Sequence, residues 1–496
     1  MSEMYHAPFY ADRDEFVRAL ALTRSEPTDD LGIWQPWAYF RLGMYRTVAA
    51  LPIQPVDPKY IERHLLPFVI SVAACGQRAR AVDTLSLVPW DSVSKTLRLS
   101  IAKHLSFYLP VESLELAENS LGELPPTLRV LLLQRAGRMH EARAALEAAF
   151  SEGLAGRYPE LHLYRTVLDV VPPAQQIEQV NRLLNAYRLP SLALLDPSRP
   201  LNPCNVWMPT PLSSCEGPQV TVLMTSFNAG ARISSAIDSV LRQTYGNLEL
   251  IVVDDASSDG TPEVIQAWMD RDPRVRMVRL RNNVGTYLAK SIGLRHARGE
   301  FVTCQDSDDW SHPLKLELQV VPLLRDEALI ATTSCGVRVH DDGSINSSSH
   351  ADLVHCNYSS LLFRKAKVLR ETGTWDCGVR MSADTEFFWR LRLIYGPRSI
   401  LQVREPLSLL SYRKGTLTTT QNDVGFRGER FPPSRLTYTE SFNAWHIDCL
   451  RNGGMPQEGR DPAFWIDSRP YHAPEDMRVD AESARRALLE SGLISS

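Results

Sequence analysis

From residue 219 onward, short runs of aliphatic and β-branched residues alternate with amphipathic segments of helical period. The runs predict strands at Val220–Met224, Leu248–Val253, Val275–Leu280 and Phe301–Thr303. The segments between them predict helices near Ile233–Gln243, Pro262–Met269 and Tyr287–Ala297. Strands joined by helices form a parallel sheet that helices cover on both faces. We therefore expect an α/β, Rossmann-like fold in this part of the chain.

The stretch from residue 12 to 195 is different, because its apolar residues recur at helical spacing. The segment LLLQRAGRMHEARAALEAAF predicts two helices joined by a turn at Gly137, and CGQRARAVDTL near Gly76 echoes it loosely. Each fragment resembles a tetratricopeptide-like (TPR-like) hairpin. Because no fixed period runs through the region, we expect an irregular TPR-like helical solenoid or bundle. A true repeat array is the less favoured alternative.

Residues 200–218 are dense in proline, serine and asparagine, which disfavour the interiors of helices and sheets. We therefore expect a linker at 206–218, between a helical domain at 1–205 and the α/β domain at 219–420. A C-terminal extension follows at 421–496. Apart from a helix predicted at Asp480–Ser491, the extension has no clear period, and its role is not readable from the sequence.

The composition excludes some classes of function and location. The 496 residues carry 54 basic and 58 acidic side chains, so the sequence offers no electrostatic signature of nucleic-acid binding. The eight cysteines include no CxxC pair, which indicates reduced thiols. The N-terminus lacks the pattern of a signal peptide, and the longest apolar run, Leu65–Cys75, is shorter than the roughly 20 residues that cross a bilayer. We expect a cytoplasmic protein whose membrane contact, if any, is peripheral at the inner face.

Polar side chains follow three predicted strands at the points where the strands end. They are Thr225–Asn228, the pair Asp254 and Asp255, and the run Asp306–Asp309. Because ligands bind at the carboxyl ends of the strands of an open parallel sheet, we expect these side chains to converge on one cleft. Asp254 and Asp255 could instead form a helix-capping turn, but Thr261 followed by proline already supplies that cap. Carboxylates after a buried strand need partners such as a ribose, a base edge or a cation.

The run Asp306-Ser307-Asp308-Asp309 places carboxylates two residues apart. Such a pair can hold Mg²⁺ or Mn²⁺ together with substrate phosphates. A lone run of this kind is more often an acidic surface turn, and only its position at the predicted cleft favours a metal site. A cation that bridges two phosphate oxygens neutralises the charge of a departing diphosphate, so the site favours nucleotide diphosphates.

Five segments, taken in order, resemble glycosyltransferase family 2 and its GT-A fold. They are VTVLMTSFNAG with VLRQTY, LELIVVDDASSDGT, RNNVGTYLAKSIGL, ARGEFVTCQDSDDWSHPLKLE and ADTEFFWRL. The resemblance implies an inverting transfer of a sugar from a nucleotide-diphospho-sugar, expected to be a UDP-sugar, to a hydroxyl group. It implies Mn²⁺ or Mg²⁺ as cofactor and a place in polysaccharide or glycoconjugate biosynthesis.

The resemblance also implies roles for single residues. Thr225 and Asn228 would line the nucleotide pocket, Asp255 would contact the base with Asp254 beside it, and Asp306 would lie near the ribose with Ser307 next to it. Asp308, with Asp306, would ligate the metal. The basic residue expected in the NNVGTYLAKSIGL helix is Lys290, which suits a phosphate. The catalytic base would be Asp384, which takes the proton of the acceptor hydroxyl; the same residue could also be the N-cap of the following helix.

The sequence departs from the family pattern in two places. The glutamate that often precedes the base is Ala383, and the usual Tyr-Arg-x-His is Tyr412-Arg413-Lys414-Gly415, without the histidine that can complete the metal shell. Arg413 or Lys414 could contact the diphosphate, although solvated surface charges explain them equally well. Two nearby residues have open alternatives: His312 is better explained as a core or turn histidine than as a metal ligand, and Trp310 could stack on a sugar.

A second class of function stays open: a helical interaction or scaffold protein with an inactive transferase-like domain. Ala383 and the absent histidine are its support. A sugar nucleotidyltransferase would need a glycine-rich basic loop after the first strand, where this chain has TSFNAGAR. A dinucleotide-dependent dehydrogenase would need a GxGxxG motif after a strand, and the sequence has none there. No residue in the sequence identifies the acceptor, which we expect to be a glycan or a lipid-linked molecule. The helical region could also bind a protein partner.

Overall fold

The computed structural model of the protein describes residues 13–22, 29–119, 124–348, 352–416, 430–457 and 462–494. These residues divide into two compact units. The first unit comprises the described residues of Met1–Val170, Ser347–Leu353 and Lys414–Gly454. The second comprises those of Val171–Asn346, Val354–Arg413 and Met455–Ser496.

The first unit is built from helices. In chain order they are α1 Arg13–Leu22, α2 Asp29–Arg41, α3 Tyr45–Ala50, α4 Ile61–Ala74, α5 Arg78–Ser86, α6 Lys95–Leu105, α7 Pro110–Glu118, α8 Pro126–Arg135, α9 Met139–Ser151, α10 Leu161–Leu168 and, later in the chain, α18 Pro433–Arg451. Nearly every side chain of α4 is buried, which explains the long apolar run as a core helix. Gly137 joins α8 to α9 at a φ of +77°, so the predicted helix-turn-helix is confirmed. The TPR-like arrangement stays a prediction. Among the described residues, no helix is both long and apolar enough to cross a membrane.

The second unit contains one sheet of eight strands. They are β1 Val220–Ser226, β2 Leu248–Asp254, β3 Val275–Arg279, β4 Phe301–Asp306, β5 Trp310–Ser311, β6 Ala331–Val339, β7 Val354–Arg364 and β8 Ile400–Ser411, in the order β3-β2-β1-β4-β7-β6-β8-β5. Its helices are α11 Pro173–Ala186, α12 Ile233–Leu241, α13 Thr261–Met269, α14 Thr286–Arg295, α15 Lys315–Arg325, α16 Lys365–Glu371, α17 Ala383–Tyr395, α19 Pro462–Asp467 and α20 Ala481–Glu490. Every strand and helix predicted between residues 220 and 306 is present.

Helices cover the parallel half of the sheet on both faces, as the sequence predicts. On one face Ile237 of α12 and Ile265 of α13 share a core with Val222 and Leu250. On the other face α14 lies so close that a Cβ at Gly293 would meet Val253 at 2.7 Å. A larger residue there would push the helix off the sheet.

The second half of the sheet, where the sequence analysis predicted no strands, is mixed, with β6 and β8 parallel and other pairs antiparallel. Strands β3, β2, β1 and β4 are parallel, but β7 runs antiparallel to both β4 and β6, and β5 is antiparallel to β8. The described part of the connection between β6 and β7 contains no helix. Strands that are not joined by a helical crossover can pair antiparallel, and the strand-helix alternation that predicted a parallel sheet ends at β4.

The predicted domain boundaries also differ from the two units. Helix α11 and residues 187–218, predicted as helical domain and linker, belong to the second unit, and so do residues 455–494. The segment before β1 is ordered without regular structure: the Asn205 amide donates to the Asp196 and Pro200 carbonyls, each at 3.0 Å. Proline and asparagine exclude helix and sheet interiors there, but they do not prevent close packing.

Candidate active site

The ends of β1, β2 and β4 lie side by side at one edge of the sheet. The register places Ser226 of β1 opposite Asp254 of β2, and Thr225 of β1 opposite Asp306 of β4. The Thr225 hydroxyl is 2.7 Å from the hydroxyl of Thr286 at the start of α14. The polar residues that the sequence assigns to one cleft therefore share one edge of the sheet.

Asp255 is held by the protein backbone. Its two carboxylate oxygens accept hydrogen bonds from the backbone amides of Val284, at 2.7 Å, and Gly285, at 2.9 Å. Gly285 adopts a φ of +83°, and a Cβ there would meet Arg380 and Val479. The sequence analysis assigned the partners of this buried carboxylate to a ligand, and the structure supplies two of them from the turn before α14.

The pKa of Asp255 leads to a testable pH dependence. Burial raises the pKa to about 6, although the two backbone amides and Arg380 lower it. A carboxyl group with a higher pKa in the folded state binds protons more tightly there, so its contribution to stability is full below about pH 4 and lost as the pH rises through about 6. We expect the free energy of unfolding of the wild type, relative to Asp255→Asn, to increase by about 1–3 kcal/mol between about pH 7 and about pH 4.5.

Urea unfolding of both proteins at each pH measures this difference. The control is Asp270→Asn, which changes an exposed carboxylate that accepts a bond from Gln266 at 2.9 Å. A wild-type advantage over Asp255→Asn that stays constant with pH would contradict the pKa assignment.

The loops after β1 and β2 are tied together by Asn228 and Asp254. Asn228 has a φ of +51°, and its side-chain oxygen accepts a bond from the Ser258 amide at 2.9 Å. Its own amide donates to the Ser257 hydroxyl at 2.9 Å. The Asp254 carboxylate is fully buried and lies 3.4 Å from Arg279 Nε. These contacts fix the shape of the predicted nucleotide pocket.

The predicted cap at Thr261 is wrong, because Gly260 precedes the helix and Thr261 is its first residue. The Thr261 hydroxyl instead accepts a bond from the Ala229 amide at 2.8 Å and donates to Asp259. Thr261 thus joins the two loops. The sequence analysis also missed Phe227, which is 52% exposed at the end of β1. An exposed aromatic side chain directly after a buried strand was the available signal.

The acidic run at the end of β4 separates into two partly exposed carboxylates and one buried carboxylate. Asp306 and Asp308 keep 39% and 22% of their side-chain surface. Asp309 is buried, and its Oδ1 accepts a bond from the Ser411 amide at 2.8 Å. Burial and the charge of Asp306 raise the pKa of Asp308. Ser307, between them, is half-buried.

Two basic side chains face this pair. Lys290 Nζ lies 3.7 Å from Asp306, and Arg413 Nη2 lies 3.5 Å from Asp308. Burial lowers the pKa of Lys290, but the charges of Cys304, Asp306 and Asp384 outweigh burial and raise it. Asp306 and Asp384 therefore both lie near the one ammonium group, although they are 78 residues apart in the sequence.

Asp384 is the second residue of α17, and its side chain is half-buried. Its Oδ1 accepts a bond from the Thr385 amide at 2.8 Å, so the carboxylate is held at the helix N-terminus. The residue before the helix, Ser382, has a φ of +69° and forms no side-chain cap. Burial and the charge of Asp384 raise the pKa of Tyr287, whose phenol belongs to the same site. The alternative that Asp384 is the N-cap of α17 is wrong, because Ser382 precedes the helix and Asp384 is its second residue.

Two neighbouring residues have structural roles. Trp310 is 5% exposed and packs edge to face against His312, with ring centroids 6.2 Å apart, so the suggested stacking of Trp310 on a sugar is not supported. His312 is buried, its Nδ1 accepts a bond from the Leu314 amide at 3.2 Å, and burial lowers its pKa to about 4. It is a core histidine, as the sequence analysis favoured.

The C-terminal segment, which has no readable role in the sequence, holds the loop that leads to Asp384. The buried carboxylate of Asp376 accepts bonds from Arg469 and from the Tyr471 hydroxyl, the latter at 3.0 Å. Residues 378–380 bond the backbone of the C-terminal segment: the Arg380 amide donates to the Met477 carbonyl at 2.8 Å. These contacts join residues about 90 apart, so no local sequence pattern reveals them.

Few of the described side chains in the site could bind a metal ion. Within the described ranges, no group of three or more His, Cys, Asp and Glu side chains has the arrangement of a metal site. The side chains that could hold a cation are Asp306 and Asp308. Their partial exposure, and the burial and the charge of Asp306 that raise the pKa of Asp308, are the properties of a carboxylate pair that a cation would stabilise.

Comparisons with known proteins show what the part of the chain that carries this site is similar to. Residues 221–391 match the family model described as Glycosyl transferase family 2. An uncharacterized glycosyltransferase of Haemophilus influenzae is 36% identical over 113 residues, which are 23% of this chain and 45% of that protein. The Escherichia coli UDP-Glc:alpha-D-GlcNAc-diphosphoundecaprenol beta-1,3-glucosyltransferase WfgD is 39% identical over 106 residues, 21% of this chain and 41% of that protein.

Among solved structures, S. aureus TarS 1–349 in complex with UDP-GlcNAc has a TM-score of 0.36 at 13% identity, covering 51% of this chain and 71% of that one. The chain spans about half or less of the length of the curated relatives it matches, at 45%, 30% and 53% for three of them. The family match extends from β1 into α17 and includes every predicted site residue except Arg413. Together with the strand order, it confirms the predicted α/β, GT-A-type fold class.

Proposed function

Because residues 221–391 form a glycosyl transferase family 2 domain, we propose that this protein transfers a sugar from a nucleotide-diphospho-sugar to a hydroxyl group of an acceptor. One observation carries the proposal: Asp306 and Asp384 lie near the same buried ammonium group, Lys290, at the edge where β1, β2 and β4 end. A donor and an acceptor that met there would have acidic, basic and cation-binding groups within reach.

The nucleotide would lie against the loops after β1 and β2. Thr225 contacts Thr286, and Asn228 and Asp254 both contact Ser257, so these residues would shape the pocket. The Asp255 carboxylate accepts bonds from the Val284 and Gly285 amides, and its remaining lone pairs could accept hydrogen bonds from the edge of a base. The exposed ring of Phe227 offers a flat apolar surface on which a base can stack. We propose a UDP-sugar as donor, because the name of the E. coli relative WfgD includes UDP-Glc.

The diphosphate would lie between Lys290 and the carboxylates of the acidic run. Asp308 and Asp306 would hold Mn²⁺ or Mg²⁺, which takes one or two carboxylates and completes its shell with phosphate oxygens and water. The bound ion would neutralise charge on the departing diphosphate. Lys290 adds a second positive charge, and Ser307 lies between the two ligands. Arg413, 3.5 Å from Asp308, would keep that carboxylate oriented and face the diphosphate.

The chemical step would be a single displacement with inversion at the anomeric carbon. The acceptor oxygen forms a bond to this carbon while the bond from the carbon to the diphosphate oxygen breaks. The proton of the acceptor hydroxyl passes to Asp384, which the Thr385 amide fixes in place. A positioned carboxylate base contributes roughly 10²- to 10⁴-fold to such a rate. We propose a glycan or a lipid-linked molecule as acceptor and a cytoplasmic, membrane-peripheral setting, as the sequence predicts.

The test is a panel of nucleotide sugars with Mn²⁺, in which binding is followed by thermal shift and turnover by release of the nucleoside diphosphate. We expect one or more UDP-sugars to stabilise the protein and to be hydrolysed or transferred. Asp308→Asn should lower the release at least about tenfold. The matched control, Asp238→Asn, removes an exposed carboxylate of α12 that pairs with Arg242 and should leave release unchanged.

Two results would contradict the proposal. If no nucleotide shifts the unfolding temperature and no sugar is released, the domain is inactive and the protein has a scaffolding role. If Asp308→Asn turns over as fast as the wild type, Asp308 is not a metal ligand.

A further inference from the structure

Arg338 lies on β6 at the acidic edge of the sheet, in a position that the reaction described above does not use. It pairs in register with Leu410 of β8, and its guanidinium carbon lies 5.9 Å from the centre of the Tyr412 ring. Its Nε is buried and has no hydrogen-bond partner. Within the described part of the chain, its guanidinium donates no hydrogen bond and forms no ion pair.

The surroundings of Arg338 are acidic. Burial lowers its pKa, and the charges of Asp309, Tyr412, Asp306 and Asp384 act in the opposite direction. One of these carboxylates, Asp309, already accepts the Ser411 amide. The charge of Asp384, the proposed base, also acts on Arg338, and the two side chains are not bonded.

A guanidinium group carries five donors in a planar fork that fits a carboxylate or a phosphate in a bidentate way. Burying such donors without partners is costly, so the arrangement is stable in the free protein only because nearby negative charge offsets part of that cost. A bound oxyanion would supply the missing hydrogen bonds. The unbonded fork is thus a preformed site for an anionic group.

The position of β6 indicates which substrate carries that group. The residues proposed for the nucleotide lie at the ends of β1, β2 and β4, and β7 separates β4 from β6. The donor diphosphate already has two basic neighbours, Lys290 and Arg413. Arg338 is on the other half of the sheet, beyond β7, and so lies away from the loops proposed for the nucleotide.

We propose that Arg338 binds an oxyanion of the acceptor, so that the protein takes acceptors with a phosphate or carboxylate close to the reacting hydroxyl. This inference rests on the proposed function. It makes Arg338 a specificity-determining residue, because an uncharged acceptor would leave the buried Nε without a hydrogen-bond partner.

The experiment measures binding of three small probes to the protein saturated with UDP and Mn²⁺ at constant ionic strength. The probes are methyl phosphate, methyl glucuronide and the neutral methyl glucoside. We expect one anionic probe to bind at least about tenfold more tightly than the neutral one. Which anion is preferred identifies the oxyanion as phosphate or carboxylate. Arg338→Gln should abolish the preference and change UDP affinity less than about twofold.

Two further variants show whether the preference for an anionic probe depends on the guanidinium group of Arg338 or only on positive charge. Arg338→Lys keeps the charge but not the fork and should retain only part of the preference. Arg404→Gln, which replaces an exposed arginine of β8, should retain all of it. Equal binding of anionic and neutral probes by the wild type would overturn the inference. So would a tenfold loss of UDP affinity in Arg338→Gln, because Arg338 would then serve the donor. Failure of the wild type to bind UDP would instead contradict the proposed function.

Discussion

Asp384→Asn is expected to lower sugar transfer at least about 100-fold while changing donor affinity less than about twofold. The reason is that asparagine keeps an oxygen that can accept the Thr385 amide, now bonded to Asp384 at 2.8 Å, but it cannot take a proton from the acceptor. The N-terminus of α17 should therefore keep its geometry and lose only the base. Release of nucleoside diphosphate gives the rate, and titration with UDP and Mn²⁺ gives the affinity.

The control for this variant is Asp480→Asn. Asp480 is an N-cap whose side chain accepts the Ser483 amide at 2.8 Å at the start of α20. Because asparagine caps a helix about as well as aspartate does, this variant should stay near wild type in both stability and turnover. An equal loss of affinity and transfer in Asp384→Asn would show that Asp384 has a structural role alone.

The sequence predicts the first half of the sheet well because its information there is local. Each of β1 to β4 is a short run rich in aliphatic and β-branched residues, and a helix of clear period follows each of the first three. Residues at strand ends can then be assigned to one edge, as Thr225, Asp254 and Asp306 show. The second half is not predicted, because the strand-helix alternation ends at β4 and the described residues between β6 and β7 contain no helix.

The candidate site follows the same division. A motif can indicate that Asp255 is functional, but only the fold shows that its oxygens hold the Val284–Gly285 turn. Sequence can suggest Asp384 as a base because it starts an aromatic helix. That its charge reaches the Lys290 ammonium depends on the packing of α14 and α17, which no spacing in the sequence encodes. Arg338 and Asp376 were missed for the same reason.

The ion pair that holds the loop before α17 is the largest expected source of stability in the site. Asp376 is fully buried and Arg469 nearly so, and their ion pair joins the loop before α17 to the C-terminal segment. Removing one member of a buried pair leaves an uncompensated charge, at a typical cost of 3–5 kcal/mol. We expect Arg469→Ala to lower the free energy of unfolding by about that amount, measured by urea denaturation.

The loop position should respond as well as the stability. Arg469→Ala frees the carboxylate that also accepts the Tyr471 hydroxyl and the Gly378 amide, each at 3.0 Å. Because Asp384 follows this loop directly, turnover should fall about tenfold or more under conditions where the variant remains folded. UDP affinity should change little, since the nucleotide residues lie on other loops.

Arg485→Ala is the matched control, because it breaks an ion pair of the same C-terminal segment that is exposed. Arg485 lies 2.6 Å from Asp467, and both side chains keep about half of their surface. Such pairs contribute about 0–1 kcal/mol, so this variant should remain near wild type in stability and turnover. If Arg469→Ala cost no more than Arg485→Ala, the buried pair would not anchor the loop. The position of Asp384 would then have to depend on contacts within α17 itself, such as the buried pair of Glu386 and Arg390.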